Sequence, residues 1–587
     1  MLCLNNFIVM GTANDFPQDL ALEALQSIGF KVQRVDLASS KIMIGLQDEN
    51  CLISSEDALI LLHGVFFEET PFSVLNKTVP RFFLGEYRHQ GILVLINKKE
   101  EKVYVIGDPG ATRTVFYLVS PKMFVLTTDM RLLKLLQKAL NIQLKPDILT
   151  LYEIMAFNSI VSRRTLYKGI NRLLPGEYIV VKTNHGAFEY EISKYWNIMD
   201  ENMTSNADKK PVASLIKQMI NQLSKYYEEL QGQKTIIPIS GGLDSALLLL
   251  LAMKAEKYRQ ILALHVNLEN RMELLLSKLI TTKAKVPLHI EFFQEQWLKD
   301  NYIELLSDML KLIGYPREGE ASSPYLILAR SMRSRFPSET LFTIGGEVGD
   351  SIFGGHDYYK FFAVQLLLEK RIAELLKLMK VLRRYNYYGW KFIPVRTIFL
   401  QLVLRFYKLR YQYFKSKVHK FSRIRNKKLI RLVAQYLTEL SDVFYNAPSH
   451  KYYHKMVANM LIHKAPHIAY ARVKAEESQR IITYLPFASR YIVEVAMRIP
   501  PEYFYFPIGP RSLQRLILKY LGAPPTLYLQ TKGYFSIPSQ ILRNHTISSH
   551  MKKIVENCWI SRYVEIDKLS THQIHNIFNI CIMNAAD

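Results

Sequence analysis

Cysteine is scarce in this chain: its 587 residues hold four, Cys3, Cys51, Cys558 and Cys581. With no metal-ligand spacing among them, they exclude a disulfide-framework domain and a cysteine metal site, and a reducing cytoplasm is the expected compartment. Long apolar runs are missing as well. The run from Ala246 to Met253 falls far short of the roughly 18 residues that cross a bilayer. The start, Met1-Leu2-Cys3-Leu4-Asn5-Asn6-Phe7, has no basic stretch before an apolar one, so no signal peptide is expected. Glycine, at 25 residues, is too sparse for a collagen-like chain. Acidic charge is the last shortage, with 52 Asp and Glu against 76 Lys and Arg, a net of +24.

What is present describes a packed, multidomain protein. Apolar residues make up 49% and charged residues only 22%, which excludes a disordered chain. The positive excess is local: residues 360–431 hold twenty Lys or Arg against Glu369 and Glu374, +18 of the +24. Charge of this kind admits nucleic acid, an anionic membrane surface, or an acidic peptide or protein as partner.

The pattern changes near residue 200. Before it, Ile92-Leu93-Val94-Leu95-Ile96, Val103-Tyr104-Val105-Ile106 and Tyr178-Ile179-Val180-Val181 read as strands, with helical patches at Asp19 to Ile28 and Arg131 to Leu140. The polar stretch 199–211, ending in Pro211, reads as a linker between a domain at 1–198 and one at 212–587. In the second, Thr235 to Ile239, Ile261 to Val266, Leu288 to Phe293 and Leu341 to Ile344 alternate with helical stretches, predicting βα units and a parallel sheet. Residues 356–450 read as a basic helical insertion, with amphipathic helices at Leu375 to Arg384 and Phe399 to Arg410.

Chemistry enters at Thr235-Ile236-Ile237-Pro238-Ile239, which runs into Ser240-Gly241-Gly242-Leu243-Asp244-Ser245 and then an apolar helix. A strand, a glycine turn and a helix N-terminus gather unpaired N–H groups on one point, an anion site. Gly241 and Gly242 let the backbone approach phosphate, and Ser240 and Ser245 offer hydroxyls. Asp244 would repel phosphate unless it holds Mg²⁺. An ordinary turn with Asp244 as a helix cap is the competing structural reading. The loop resembles that of ATP pyrophosphatases, which cleave ATP to AMP and pyrophosphate, and it is not the G-x-x-x-x-G-K-[ST] loop.

About one hundred residues later comes Gly345-Gly346-Glu347-Val348-Gly349-Asp350-Ser351-Ile352-Phe353-Gly354-Gly355. This stretch resembles the asparagine synthetase family, as do Arg511 to Lys519 with Thr531-Lys532-Gly533-Tyr534-Phe535, and, near the start, Gly107-Asp108-Pro109-Gly110-Ala111-Thr112-Arg113, Leu174-Pro175-Gly176-Glu177 and Tyr195-Trp196. The resemblance covers most of the chain. It implies an N-terminal Ntn-hydrolase-like layered β-sheet domain (α+β) and a C-terminal α/β parallel-sheet ATP-pyrophosphatase domain of the adenine nucleotide α-hydrolase-like kind. It further implies that Ser240, Gly241, Gly242, Asp244, Ser245 and Gly346 bind ATP, that Asp244 and Asp350 hold Mg²⁺ with pyrophosphate, and that Glu347 and Lys532 are catalytic. Ser351 stands where the family has an acid, and Pro486-Phe487-Ala488-Ser489-Arg490 lacks the family's Asp.

Active glutaminase domains of this family begin Met-Cys-Gly, and here Leu2 precedes Cys3. A degenerate glutaminase is therefore expected, with the amine supplied from elsewhere, as in the family's β-lactam synthetases and lasso-peptide cyclases. The leading expectation is a cytoplasmic ligase closing a lactam in a precursor peptide, partnered by a protease or leader-binding protein. The alternatives are ammonia-dependent asparagine synthesis or amidation of another small carboxylate, a tRNA-modifying ATP pyrophosphatase, and a decayed scaffold. Nucleic acid is not expected; peripheral membrane contact through 360–431 stays open.

Overall fold

The computed structural model describes the chain apart from residues 1, 4–5, 13–17, 38–40, 48–50, 67–88, 138, 141, 185–186, 199–211, 231–232, 255–260, 269, 315–321, 356–357, 385–403, 422–426, 446–447, 530–544, 570 and 586–587. The linker at 199–211, Lys532 and the region 399–403 lie outside the described residues.

The first two hundred residues build two antiparallel sheets. One has seven strands, running Leu2–Cys3, Ala58–Phe66, His89–Asn97, Lys102–Ile106, Glu177–Asn184 and Ala187–Lys194, with Leu52–Ser54 beside Ala58–Phe66. The other has six, with Phe7–Thr12 between Met123–Thr127 and Lys41–Leu46. Strand period two divides their side chains between layers. Leu59 and Leu61 meet Phe7, Val9, Ile42 and Ile44 in the core between the sheets. Ala58, Ile60 and Leu62 turn outward into a second core shared with the rest of the chain. Both faces are covered, which is why Ala58–Phe66 is buried along its whole length and lacks the alternation of a solvent-facing strand. This is the layered β-sheet arrangement expected of an Ntn-hydrolase-like fold.

The remainder is built on a five-stranded parallel sheet in the order Leu288–Phe292, Ile261–Asn267, Thr235–Pro238, Leu341–Ile344, Ile481–Tyr484. The first four strands are those read from sequence. The fifth was not read there, because its four residues sit between a helix and a proline turn with no alternation to mark them. The chain leaves Thr235–Pro238 toward one edge and returns on its other side at Leu341–Ile344, so the strand order reverses between them. At such a reversal the loops beyond the strand ends diverge and leave a crevice.

Residues 359–445 contribute helices at Tyr359–Leu368, Ile372–Arg384, Tyr407–Phe421, Lys427–Leu440 and Asp442–Tyr445. Two of their arginines reach acids beyond residues 360–431, Asp442 and Glu502. Arg410 is buried against Asp442, and Arg371 binds Glu369, Glu374 and Glu502. The four cysteines build no disulfide framework, but Cys558 and Cys581 form a disulfide, 5.8 Å between Cα atoms. Helices His545–Asn557 and Thr571–Ala585 pack together and bring the two residues into reach, which their separation of 23 positions does not announce. Such a bond persists in an oxidising compartment and opens in a reducing one. Among the described residues no helix is long and apolar enough to cross a membrane.

Three imidazoles are held below their ordinary value by burial: His265, His454 and His463, the last pushed to about 3 with Arg172 adding to the effect. Each is neutral in the folded chain, whereas the unfolded chain takes up a proton below about pH 6.5. Their contribution to stability is therefore complete above that pH and lost as pH falls toward the folded values, with a slope of at most about 1.4 kcal/mol per pH unit for one imidazole. The urea midpoint is expected to drop between pH 7 and pH 5, and to drop less in His265→Asn. A midpoint flat over that range in the wild type would refute the assignment.

Candidate active site

The strand Thr235–Pro238 ends in the turn Ser240-Gly241-Gly242, and the helix Leu243–Lys254 starts at once. Gly241 has φ +69°, a conformation that favours glycine, and a Cβ there would lie 2.7 Å from the Glu273 carbonyl oxygen. The loop is pre-folded by its serines. Ser245 Oγ accepts from Ser240 N at 3.3 Å and donates to Gly242 O at 3.2 Å, while Ser240 Oγ accepts from Gly242 N at 3.3 Å. Asp244, in the first helical turn, is aimed into the crevice.

The second loop follows Leu341–Ile344. Gly345 N donates to Tyr484 O at 3.0 Å, tying the loop to the fifth strand. Val348 sits at φ +72°, a strained conformation for a β-branched residue. That turn separates Glu347 on one side from Gly349 and Asp350 on the other. Gly346 and Gly349 are required by proximity: a Cβ on Gly346 would come within 2.8 Å of Asp244 Cβ, and one on Gly349 would collide with the Asp244 carboxylate. The two loops thus interlock, bringing Asp244, Gly346, Glu347 and Asp350 together as the sequence implied.

Three residues that the motifs did not single out complete the arrangement. Arg511, at φ +60° and nearly fully buried, donates from Nη1 to Asp244 Oδ2 at 2.9 Å and contacts Asp350 with Nη2. Gln514, one turn on, donates to Asp244 Oδ1 at 2.8 Å. Arg472 donates from Nη1 to Glu347 Oε1 at 2.5 Å and from Nε to Glu476 Oε1 at 2.9 Å. Glu476 in turn accepts from Thr343 and Thr483, the latter at 2.6 Å. Burial alone would lower the Arg472 guanidinium, but the Glu347 and Glu476 carboxylates outweigh it and hold it above its ordinary value.

Ser351, at the position of the family's acid, is buried and shares a hydrogen bond of 2.7 Å with Tyr358. Ser489, where the family has Asp, caps the helix Arg490–Ala496 by accepting from Ile492 N at 3.5 Å, the same local role that Asp fills at such a position.

The residues fit a nucleotide with its magnesium. Glu347 Oε2, Arg472 Nη2 and Arg511 Nε are buried polar atoms with no hydrogen-bond partner among the described residues, and all three lie at this crevice. Buried polar groups rarely stay unpaired, so the trio marks where a polar ligand completes the site. Asp244 and Asp350 converge on one guanidinium, a single cation spanning two carboxylates. Mg²⁺ takes one or two carboxylates plus phosphate oxygens, and the pair suits it.

The N-terminal sheets reach this region. Gln90 Nε2 donates to Leu485 O at 2.5 Å and its Oε1 accepts from Leu485 N at 2.9 Å. Arg113 Nε donates to Glu477 Oε1 at 2.8 Å, with His63 3.7 Å from the same oxygen. Burial would raise the Glu477 carboxyl, but Arg113, His63 and Lys474 hold it below its ordinary value. Cys3 pairs with Gly64 on the strand that carries His63.

The family model described as asparagine synthase matches residues 236–574. No curated protein matches the chain. Among solved structures it is similar to the allosteric regulatory enzyme of purine biosynthesis, at 10% identity over 49% of this chain and 80% of the other, TM-score 0.20. It is also similar to glutamine phosphoribosylpyrophosphate amidotransferase from B. subtilis, complexed with ADP and GMP, at 11% identity over 49% and 81%, TM-score 0.19. Neither likeness is close enough to bear on the site. The family match spans more than half of the sequence, from the phosphate-loop strand to the first turn of the last helix, and the chain belongs to the asparagine synthase family.

Proposed function

We propose that this ATP-dependent carbon–nitrogen ligase adenylates a carboxylate of a peptide and lets an amine of the same peptide displace AMP, closing a lactam of the lasso type. The family assignment makes it an amide-forming ligase that uses ATP, generally with Mg²⁺. The carboxylate oxygen attacks the α-phosphorus, and pyrophosphate leaves. The amine nitrogen then attacks the acyl carbon, the bond from that carbon to the AMP oxygen breaks, and the amine's proton passes to a base. Asp244 and Asp350 would hold Mg²⁺, which when bound neutralises the charge of the departing pyrophosphate. The turn at Ser240 to Gly242 and the start of the helix Leu243–Lys254 supply N–H groups for phosphate oxygens. Glu347, fixed by Arg472 and with Oε2 facing no donor among the described residues, is suited to orient the amine and take its proton. Lys532 is assigned to the departing oxygens by resemblance alone.

The observation that favours an internal amine is the engagement of Gln90, His63 and Arg113 with Leu485 and Glu477. Side chains at the Cys3 end of the N-terminal sheet are committed to holding the two parts of the chain together. A substrate that carries its own amine gains a high effective concentration at the acyl carbon. Ammonia-dependent asparagine synthesis is the second reading, favoured by the presence of Glu347. Incubation with ATP, Mg²⁺ and a peptide bearing a free N-terminus and an internal Asp or Glu is expected to yield a product lighter by one water, with AMP and pyrophosphate. An unchanged peptide mass, together with aspartate turnover driven by ammonium, would establish the second reading. Localisation in the cytoplasm and a protease partner belong to the first.

A further inference from the structure

The strand Leu288–Phe292 is the outer strand of the parallel sheet and pairs only with Ile261–Asn267 among the described strands. Ala263 N donates to Pro287 O and Phe293 N donates to Asn267 O, so odd-numbered residues turn their main-chain groups inward. Leu288, Ile290 and Phe292 therefore present N–H and C=O groups to the edge that no described strand covers. Beside this edge lies a groove of about 510 Å³. Lys278, Thr281, Thr282 and Lys285 form one wall, and Leu288 and Ile290 the other.

Exposed apolar groups concentrate here. Met272 (63% exposed), Leu275 (60%) and Leu279 recur on one face of the helix Arg271–Ala284, and Phe292 (66%) and Trp297 lie at the end of the strand and beyond. Lys278 and Lys285 have no ion-pair partner among the described residues. The helix begins against the phosphate loop, through the contact of Gly241 with Glu273. At 1.5 Å per residue the groove starts about 8 Å from that contact.

We infer that this groove binds an extended segment of the peptide substrate by strand addition, with every second side chain in the groove, apolar ones against Leu288 and Ile290 and acidic ones on Lys278 and Lys285. The inference rests on the peptide reading above. Open main-chain groups with an adjoining apolar groove are the elements of strand addition. A lipid surface would leave the N–H and C=O groups of Leu288, Ile290 and Phe292 unpaired. A second copy would set these lysines against its own. An acidic peptide meets all three demands, and the groove delivers it beside the phosphate loop.

The test is fluorescence anisotropy without ATP, using the full chain and a fluorescein-labelled synthetic peptide of repeating Thr-Val-Thr-Glu, which sets Val and Glu on one face of the strand. The expected result is saturable binding, about tenfold weaker for the Thr-Val-Thr-Lys counterpart and for the Lys278→Glu, Lys285→Glu double variant. Ile290→Pro, which removes an outward N–H, is expected to weaken binding similarly. Asp244→Asn is expected to bind the peptide normally while releasing no pyrophosphate, which separates docking from catalysis. Equal binding of the two peptides, or full binding by the charge-reversed variant, would overturn the inference. So would concentration-dependent self-association that charge reversal strengthens, which would assign the edge to a second copy. If docking holds but no ring forms, the cyclisation reading fails and the groove stands. If rings form with an unchanged KM in the charge-reversed variant, the groove fails and cyclisation stands.

Discussion

Asp244→Asn is expected to abolish ATP-dependent pyrophosphate release, by roughly 10²–10³-fold or more, while the chain stays folded. The carboxylate receives two donors, Arg511 Nη1 at 2.9 Å and Gln514 Nε2 at 2.8 Å. Replacing one oxygen by an amide group sets donor against donor at one of these contacts and removes one of the two charges available to Mg²⁺. The side chain is only partly buried, so the folding cost stays small. Pyrophosphate release measured with a coupled assay separates this from unfolding, provided far-ultraviolet circular dichroism is unchanged. Asp350→Asn is expected to lose less, because Asp350 lies on the rim of the site and is more exposed. Near wild-type release in Asp244→Asn would sink the whole assignment of the crevice.

The parts of this site that were legible in the sequence are those carried by local backbone geometry. Ser240 to Ser245 could be read because strand, glycine turn and helix are consecutive, and Gly241 is needed at its own position. Gly346 to Asp350 could be read for the same reason, although the interlock of Gly346 and Gly349 with Asp244 belongs to tertiary packing. Arg472, Arg511 and Gln514 could not. Each stands in or at the start of a helix and more than one hundred residues from the carboxylate it holds at the site, and Arg among apolar residues reads as an amphipathic face. The signal that existed was the resemblance of Arg511 to Lys519 to a family helix, which marked the segment without distinguishing Arg511 from Arg515. Arg515 binds main-chain oxygens of Pro510 and Tyr528 and holds the fold.

The basic segment is legible as composition and not as pairing. Arg410 is buried against Asp442 and half-buried Arg371 reaches Glu502, both acids beyond residues 360–431, while the exposed lysines that line a groove, Lys278 and Lys285, lie outside it. Net charge per segment counts groups without knowing which are already paired.

The deepest coupling in the site runs through Arg472, and its replacement carries the second large effect. The guanidinium is buried and joins Glu347, which faces the crevice, to Glu476, which is buried and held by Thr343 and Thr483. Arg472→Ala leaves the Glu347 and Glu476 carboxylates without the cation they share, a change that costs about 3–5 kcal/mol when a buried pair is broken. That variant reports on folding. Arg472→Lys keeps the charge but loses the fork that reaches both acids, and is expected to fold with kcat lowered about 10²-fold and KM for ATP nearly unchanged. Arg472 is a positioning residue, acting through Glu347. The double variant Arg472→Lys, Glu347→Gln should therefore be no slower than Glu347→Gln alone, because a residue that acts through another has nothing left to position. Multiplied losses in the double variant would show that Arg472 contributes separately from Glu347, and the chain from Thr483 through Glu476 and Arg472 to the reacting amine would have to be abandoned.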